Sequence, residues 1–181
     1  MQVIKLGGSL LNAEKMLMCL QHILNTDEQT VVVCGGGDFA DQVRQAQEKW
    51  HFSDVTAHEM AILAMKQNAM MLQNLQPEFT IETTISTIKN HLFSIWSPDI
   101  NELKAAKIPA SWEMTSDSLA AWLATKLDAE KLIVVKSCDV DSRLTLDDLI
   151  EKKIIDGEFA NFINHAKFDL KIMSATTFLN L

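Results

Sequence analysis

Apolar positions follow two rhythms along this chain, and the rhythms alternate. A short continuous run, Gln2 to Leu6, stops at Gly7-Gly8, after which Met16, Leu17, Leu20, Ile23 and Leu24 recur at helical spacing between Ala13 and Leu24. The same grammar returns at once. Thr30 to Cys34 is a β-branched run, Gly35-Gly36-Gly37 interrupts it, and Asp38 to Lys49 reads as a helix. Two strand-glycine-helix units therefore stand in tandem.

From Asp54 to Leu75 there is neither proline nor glycine, and Ala, Met, Leu and Gln dominate, which predicts one long helix. Met60, Leu63, Ala64 and Met71 lie at helical spacing and are read as packing residues, not soft metal ligands. Pro77 ends that helix. Phe79 to Ile85 and Leu92 to Trp96 are predicted strands, the second closed by Ser97-Pro98, and a helix follows from Asp99 to Ala106. Ile108 to Trp112 is an extended loop, Ser116 to Leu127 a helix, and Leu132 to Lys136 a buried strand. Helices at Leu146 to Lys153 and Glu158 to Ala166 and a strand at Asp169 to Met173 complete the series. Such alternation predicts an α/β fold, a largely parallel sheet with helices on both faces, formed as one domain over residues 1–181.

Composition narrows the function. With 24 acidic against 16 basic residues and a net charge of −8, no basic stripe is available to neutralise a nucleic-acid backbone. The first residues hold neither a charged n-region nor an apolar stretch long enough for a signal peptide or membrane span, so a cytoplasmic protein without membrane contact is expected. Cys19, Cys34 and Cys138 are far apart and odd in number, and no histidine stands at metal-ligand spacing. They are read as reduced, mostly buried thiols, and no resident metal site is expected.

In a parallel sheet, ligands gather beyond the carboxyl ends of the strands. That puts Gly7-Gly8-Ser9 and Gly35-Gly36-Gly37 at one end, where glycine lets the backbone approach an anion and the following helix N-terminus offers donors and partial positive charge. Neither turn is a Walker A or a dinucleotide fingerprint. Lys5 stands two residues before the first turn, suited to neutralising charge on a transferred phosphoryl group. Thr115-Ser116-Asp117-Ser118 opens a helix, where capping explains one polar residue but not four. An aspartate there can hold Lys5 and Lys136 in fixed positions around a polyphosphate.

Taken in order, Lys5-Leu6-Gly7-Gly8-Ser9, Gly35-Gly36-Gly37 and Thr115-Ser116-Asp117 with Ala120-Ala121 resemble the amino acid kinase family, from Met1 to about Lys136. That resemblance implies a three-layer α/β/α sandwich, shortened here at its C-terminal part. It implies transfer of the γ-phosphoryl group of ATP, with Mg2+ arriving on the nucleotide, to a small carboxylate, carbamate or phosphate acceptor. Carried over, Lys5, Asp117 and Lys136 become catalytic candidates, and Gly7, Gly8, Ser9, Ser137 and Asp139 phosphate or nucleotide ligands. Gly35, Gly36, Gly37, His58, Thr115 and Ser116 become acceptor-side candidates.

His58, Ala61, Ala64, Met65 and Gln67, then Trp96-Ser97-Pro98 and the run Ile108 to Ala124, are similar to the branch that acts in methanofuran biosynthesis, within one-carbon metabolism, on aminomethylfuranmethanol phosphate. There the acceptor is a phosphate monoester. Trp112 is read as a core residue, the alternative being a stack on a flat acceptor. The family's Val-Asp-Gly after the lysine strand is replaced by Val140-Asp141-Ser142, which leaves open a nucleotide-binding descendant without activity; a uridylate or isopentenyl phosphate kinase is a further alternative. Homo-oligomers, common in the family, are expected.

Overall fold

The structure, a computed structural model, describes residues 1–13, 15–164 and 166–181. Six parallel strands form one sheet in the order β3-β4-β2-β1-β5-β6. They are β1 (Gln2–Leu6), β2 (Thr30–Cys34), β3 (Thr80–Glu82), β4 (Phe93–Trp96), β5 (Lys131–Lys136) and β6 (Asp169–Ser174). A parallel sheet covered on both faces calls for continuous apolar strands, and Thr30–Cys34 and Leu132 to Val135 are buried throughout.

The helices are α1 (Lys15–Leu24), α2 (Gly37–Trp50), α3 (Asp54–Leu75), α4 (Ile85–Ile88), α5 (Ile100–Ala105), α6 (Ser116–Lys126), α7 (Leu146–Glu151), α8 (Phe159–Ile163) and α9 (Ala175–Phe178), with a 3-10 turn over Gly8–Ala13. Two apolar layers sandwich the sheet. One packs Val3, Val31, Val33, Leu132 and Val134 against α6 and α8; the other packs Ile4, Leu6, Val32, Cys34, Ile133 and Val135 against α1 and α9. The expected three-layer α/β arrangement is therefore present.

Strand parity decides where the charged residues of the centre point. Side chains alternate between faces along a strand, so Lys5 shares the α6 face with Val3, and Lys136 shares it with Leu132 and Val134. Register completes the placement. Lys5 pairs with Val33 of β2 and Val134 of β5, and Leu6 with Cys34 and Val135, so β1 and β2 end level and β5 runs one residue further, to Lys136. The chain runs from β1 to its neighbour β2, skips one position to β3 at the edge, steps back to β4 in the gap, and then crosses to the other side of β1 as β5. This reversal of direction is where open α/β sheets form a crevice.

Some expected elements differ. The strand predicted over Phe79 to Ile85 is confined to Thr80–Glu82, and Ile85–Ile88 is helical. The Thr87 hydroxyl turns back to the Glu82 carboxylate and to the Thr84 carbonyl oxygen, which closes a turn where β-branched residues had pointed to a strand. The last strand runs on into α9, whose first turn is capped by Ser174 Oγ accepting from Thr177 N at 3.2 Å. The helix expected over Glu158 to Ala166 is a single turn and a half at Phe159–Ile163. Its residue His165, like Glu14 of the expected Ala13 to Leu24 helix, lies outside the described residues. Cys19 and Cys34 are buried, while Cys138 is exposed.

Candidate active site

The two glycine turns touch backbone to backbone. Gly7 N–H donates to Val135 O and Gly35 N–H to Leu6 O, each at 3.0 Å, so both turns are pinned to the sheet at their first residue. A Cβ on Gly8 would stand 2.4 Å from Gly37 N, and one on Gly35 would stand 2.8 Å from Gly8 N. Gly37 also adopts φ +50°, the left-handed region that side chains disfavour. Fully buried Asn68, from α3, fixes the second turn by donating from Nδ2 to Gly35 O at 2.7 Å. Gly35 and Gly37 are thus steric requirements of this contact, and Gly36 is required by its closeness to Ala40 on the following helix.

Beside the turns sits a buried set of three charges. Lys5 Nζ lies 2.7 Å from Asp117 Oδ1, and Lys136 Nζ 2.6 Å from Asp117 Oδ2. Lys5 and Asp117 are 4% and 3% exposed. Burial pushes the Asp117 carboxyl upward, but the attraction of Lys5 and Lys136, with their hydrogen bonds, outweighs it and holds the group below the usual carboxylate range. Lys136 is pushed down to about 8 by burial and by the neighbouring Lys5, with Asp117 and Asp156 acting in the opposite sense. Buried ion pairs contribute little net stability because desolvation offsets attraction. A surplus positive charge kept at the mouth of two glycine turns is an arrangement suited to handling an anion.

Ser9 and Ser137 face each other across the ends of β1 and β5, Oγ to Oγ 2.7 Å, at the exposed edge of this set. Asp139 is exposed two residues further along the same loop. Ser116 packs against the second turn, its Oγ 3.2 Å from the position a Cβ on Gly35 would take.

A cavity of about 240 Å³ opens from the turns, lined by Gly8, Ser9, Gly36, Gly37, His58, Thr115 and Ser116 among others. Burial pushes the His58 imidazole below its ordinary value, against a hydrogen bond to the Ser111 backbone and the nearby Glu59. The structure brings His58, Thr115 and Ser116 into one cavity lining with Gly36 and Gly37. Trp112 departs from its expected core role. It is half-buried, donates from Nε1 to Gln47 Oε1 at 2.6 Å, and carries the Arg44 guanidinium 4.0 Å above its ring. Arg44 and Trp112 line this cavity and also a second one of about 460 Å³, which reaches Asp117, Lys136 and Asp156.

Sequence reasoning missed Arg44, Asn68 and Asp156. Arg44 lies seven residues beyond the glycine turn, two helical turns into α2, so it shares a face with Gly37; that periodicity was the available signal. Asp156 gives no such signal, since it reaches Thr115 and Ser118 from 38 to 41 residues away.

Residues 1–154 match the amino acid kinase family. The chain belongs to that family and is a kinase. It is 27% identical over 169 residues to the [5-(aminomethyl)furan-3-yl]methyl phosphate kinase of Methanocaldococcus jannaschii, an alignment covering 91% of this chain and 74% of that one. Among solved structures it is similar to the uridylate kinase from Archaeoglobus fulgidus, with a TM-score of 0.76 at 20% identity over 98% of this chain and 93% of the other. It is also similar to the UMP kinase from Bacillus anthracis, with a TM-score of 0.72 at 15% identity over 97% and 87%. These likenesses show the amino acid kinase fold. No helix among the described residues is long and apolar enough to cross a membrane.

Proposed function

We propose that this kinase transfers the γ-phosphoryl group of ATP to a small phosphate monoester, with aminomethylfuranmethanol phosphate in methanofuran-type cofactor biosynthesis as the favoured acceptor. The observation that carries the reading is the bridging of Lys5 and Lys136 by Asp117 beside the two touching glycine turns. The named acceptor is supported by the likeness to the Methanocaldococcus jannaschii enzyme.

In-line phosphoryl transfer needs positioning and charge stabilisation, with little covalent work by the protein. Lys5 and Lys136 neutralise charge that builds on the moving group, and Asp117 keeps the two ammonium groups apart and aimed. Gly7, Gly8 and Ser9, with Ser137, form the wall on the transferred-phosphoryl side, and Asp139 stands where the nucleotide would continue. Gly35, Gly36 and Gly37 with His58, Thr115 and Ser116 form the acceptor side, and Arg44 supplies a fork-shaped donor for a phosphate. A cavity of about 610 Å³ lined by Val140, Asp141, Leu146, Ile172 and Met173 has room for the nucleotide base. Two lysines sharing one carboxylate leave a positive charge that fits the nucleotide's phosphates, and Mg2+ bound to those phosphates would add further neutralisation.

The test is ADP release with Mg-ATP and a panel of acceptors: aminomethylfuranmethanol phosphate, UMP, isopentenyl phosphate, and a carboxylate such as N-acetylglutamate. Turnover with a phosphate monoester, highest for the furan compound, is expected. Turnover confined to the carboxylate would overturn the proposed acceptor class, and binding of Mg-ATP without turnover on any acceptor would overturn the reaction.

A further inference from the structure

Helix α6 carries Asp117 in its first turn, yet that turn is not capped by its own Thr115. The cap comes from far along the chain. Asp156 Oδ2 accepts from Thr115 N at 3.0 Å, Thr115 Oγ1 at 2.5 Å and Ser118 N at 3.1 Å, while Asp156 Oδ1 accepts from the Ser118 hydroxyl. One carboxylate therefore grips the residues on both sides of Asp117, satisfying helix N–H groups that would otherwise lack partners.

The segment bearing Asp156 is itself fixed. Ile155 is buried, and its N–H donates to Leu149 O at 3.2 Å. Glu158 N–H donates to Glu113 O at 3.0 Å, and Gly157 lies so close to Glu113 that a Cβ there would stand 2.5 Å from Oε2. The 154–158 segment thus forms a strap over the start of α6. It begins where the match to the family ends, at residue 154.

Asp156 and Lys136 both line the 460 Å³ cavity, within electrostatic reach of each other. The charged groups around that lysine are Lys5 on β1, Asp117 on α6 and Asp156 on the strap, with Glu113, Glu151, Lys153 and Arg44 elsewhere on the cavity wall. Burial and Lys5 bring Lys136 close to losing its proton near neutral pH, and Asp156 opposes them.

We infer that Asp156 is a positioning residue for phosphoryl transfer, acting on Asp117 through the first turn of α6 and on Lys136 through space. This rests on the reaction proposed above. The carboxylate touches neither reacting group. It decides where Asp117 points and, through its charge, how readily Lys136 keeps its proton.

The test compares wild type, Asp156→Asn and Ser118→Ala with Mg-ATP and a turning-over acceptor, from neutral to alkaline pH. Side-chain NMR titration of Lys136, assigned with Lys136→Arg, runs alongside. Asp156→Asn is expected to lower kcat by about 10- to 100-fold, the scale of a small misplacement of reacting groups, with KM for both substrates nearly unchanged. Its alkaline limb and its Lys136 titration should both move to lower pH. Ser118→Ala, which removes one hydrogen bond and leaves the charge of Asp156, should lower kcat by less and leave the alkaline limb in place. A lower melting temperature for Asp156→Asn, with kcat per folded molecule and the limb both unmoved, would reduce Asp156 to a helix cap and overturn the inference. If Asp156→Asn does not fold, Ser118→Ala decides, and an unchanged kcat there overturns it. If wild type turns over no acceptor, the proposed reaction fails separately, and an unmoved Lys136 titration in Asp156→Asn then overturns the inference by itself.

Discussion

Asp117 and Asp141 are both aspartates that hold cationic nitrogens with both carboxylate oxygens, and their settings differ completely. Asp117 is buried between Lys5 and Lys136 at 2.7 and 2.6 Å. Asp141 binds Arg143 through Nε at 3.0 and 3.2 Å and Nη2 at 2.7 Å, two residues along an exposed loop. Partner geometry is good in both, and only solvent separates them. Water screens the surface pair and side-chain entropy opposes it. Asp117 is largely shielded from water, each charge depends on the others, and rearranging any of them is costly.

The contrast is broken most severely by Asp117→Asn. That variant leaves two ammonium groups close together without a full counter-charge, so a loss of about 3–5 kcal/mol in stability is expected, read from denaturant unfolding, together with loss of turnover. The acid side has a definite sign. Asp117 is held below its ordinary value, so its contribution is full above about pH 4, the unfolded-state range, and drains away as pH falls through the folded value. Asp117→Asn should therefore flatten the acid side of the stability profile.

Lys5→Ala comes next. Asp117 keeps Lys136 as a partner, so the fold should persist by circular dichroism while kcat drops by about 100- to 1,000-fold, as when one charge-stabilising donor is removed. Wild-type activity should itself decline on the alkaline side as Lys136, pushed down to about 8, loses its proton. Arg44→Ala should have a smaller effect, a roughly tenfold rise in the acceptor KM with little change in the KM for ATP, measured by steady-state kinetics. The smallest effect belongs to Arg143→Ala, which should leave the melting temperature within experimental error. A clear drop there would show that the surface pair is not screened as its exposure implies.

The residues legible in the sequence are those whose neighbours along the chain announce them. Lys5 precedes its turn by two residues, the triple glycine follows a β-branched run, and Asp117 opens a helix with more polar residues than a cap needs. Strand parity then brings Lys5 and Lys136 to the α6 face. Contacts that depend on tertiary approach left no local pattern, as with Asp156 capping α6 and Asn68 holding Gly35, while helical spacing put Arg44 on the face of Gly37 without showing its contact with Trp112. The Thr83 to Ile85 stretch misled because β-branching favours a strand only where sheet packing is available. At the short edge strand β3, hydroxyl groups closed a turn instead.

For an engineer seeking to redirect this kinase to another acceptor, the touching turns divide the site into a fixed plate and adjustable walls. Any side chain at Gly8 collides with the Gly37 backbone, and Gly37 holds a conformation that side chains disfavour, so libraries spent on these positions would return mostly misfolded protein. Arg44, His58 and Trp112 line the same cavity but take no part in the Gly8–Gly37 contact or in the ion pairs of Asp117 with Lys5 and Lys136. New specificity is to be sought there, by changing the shape that faces the plate and leaving the plate untouched.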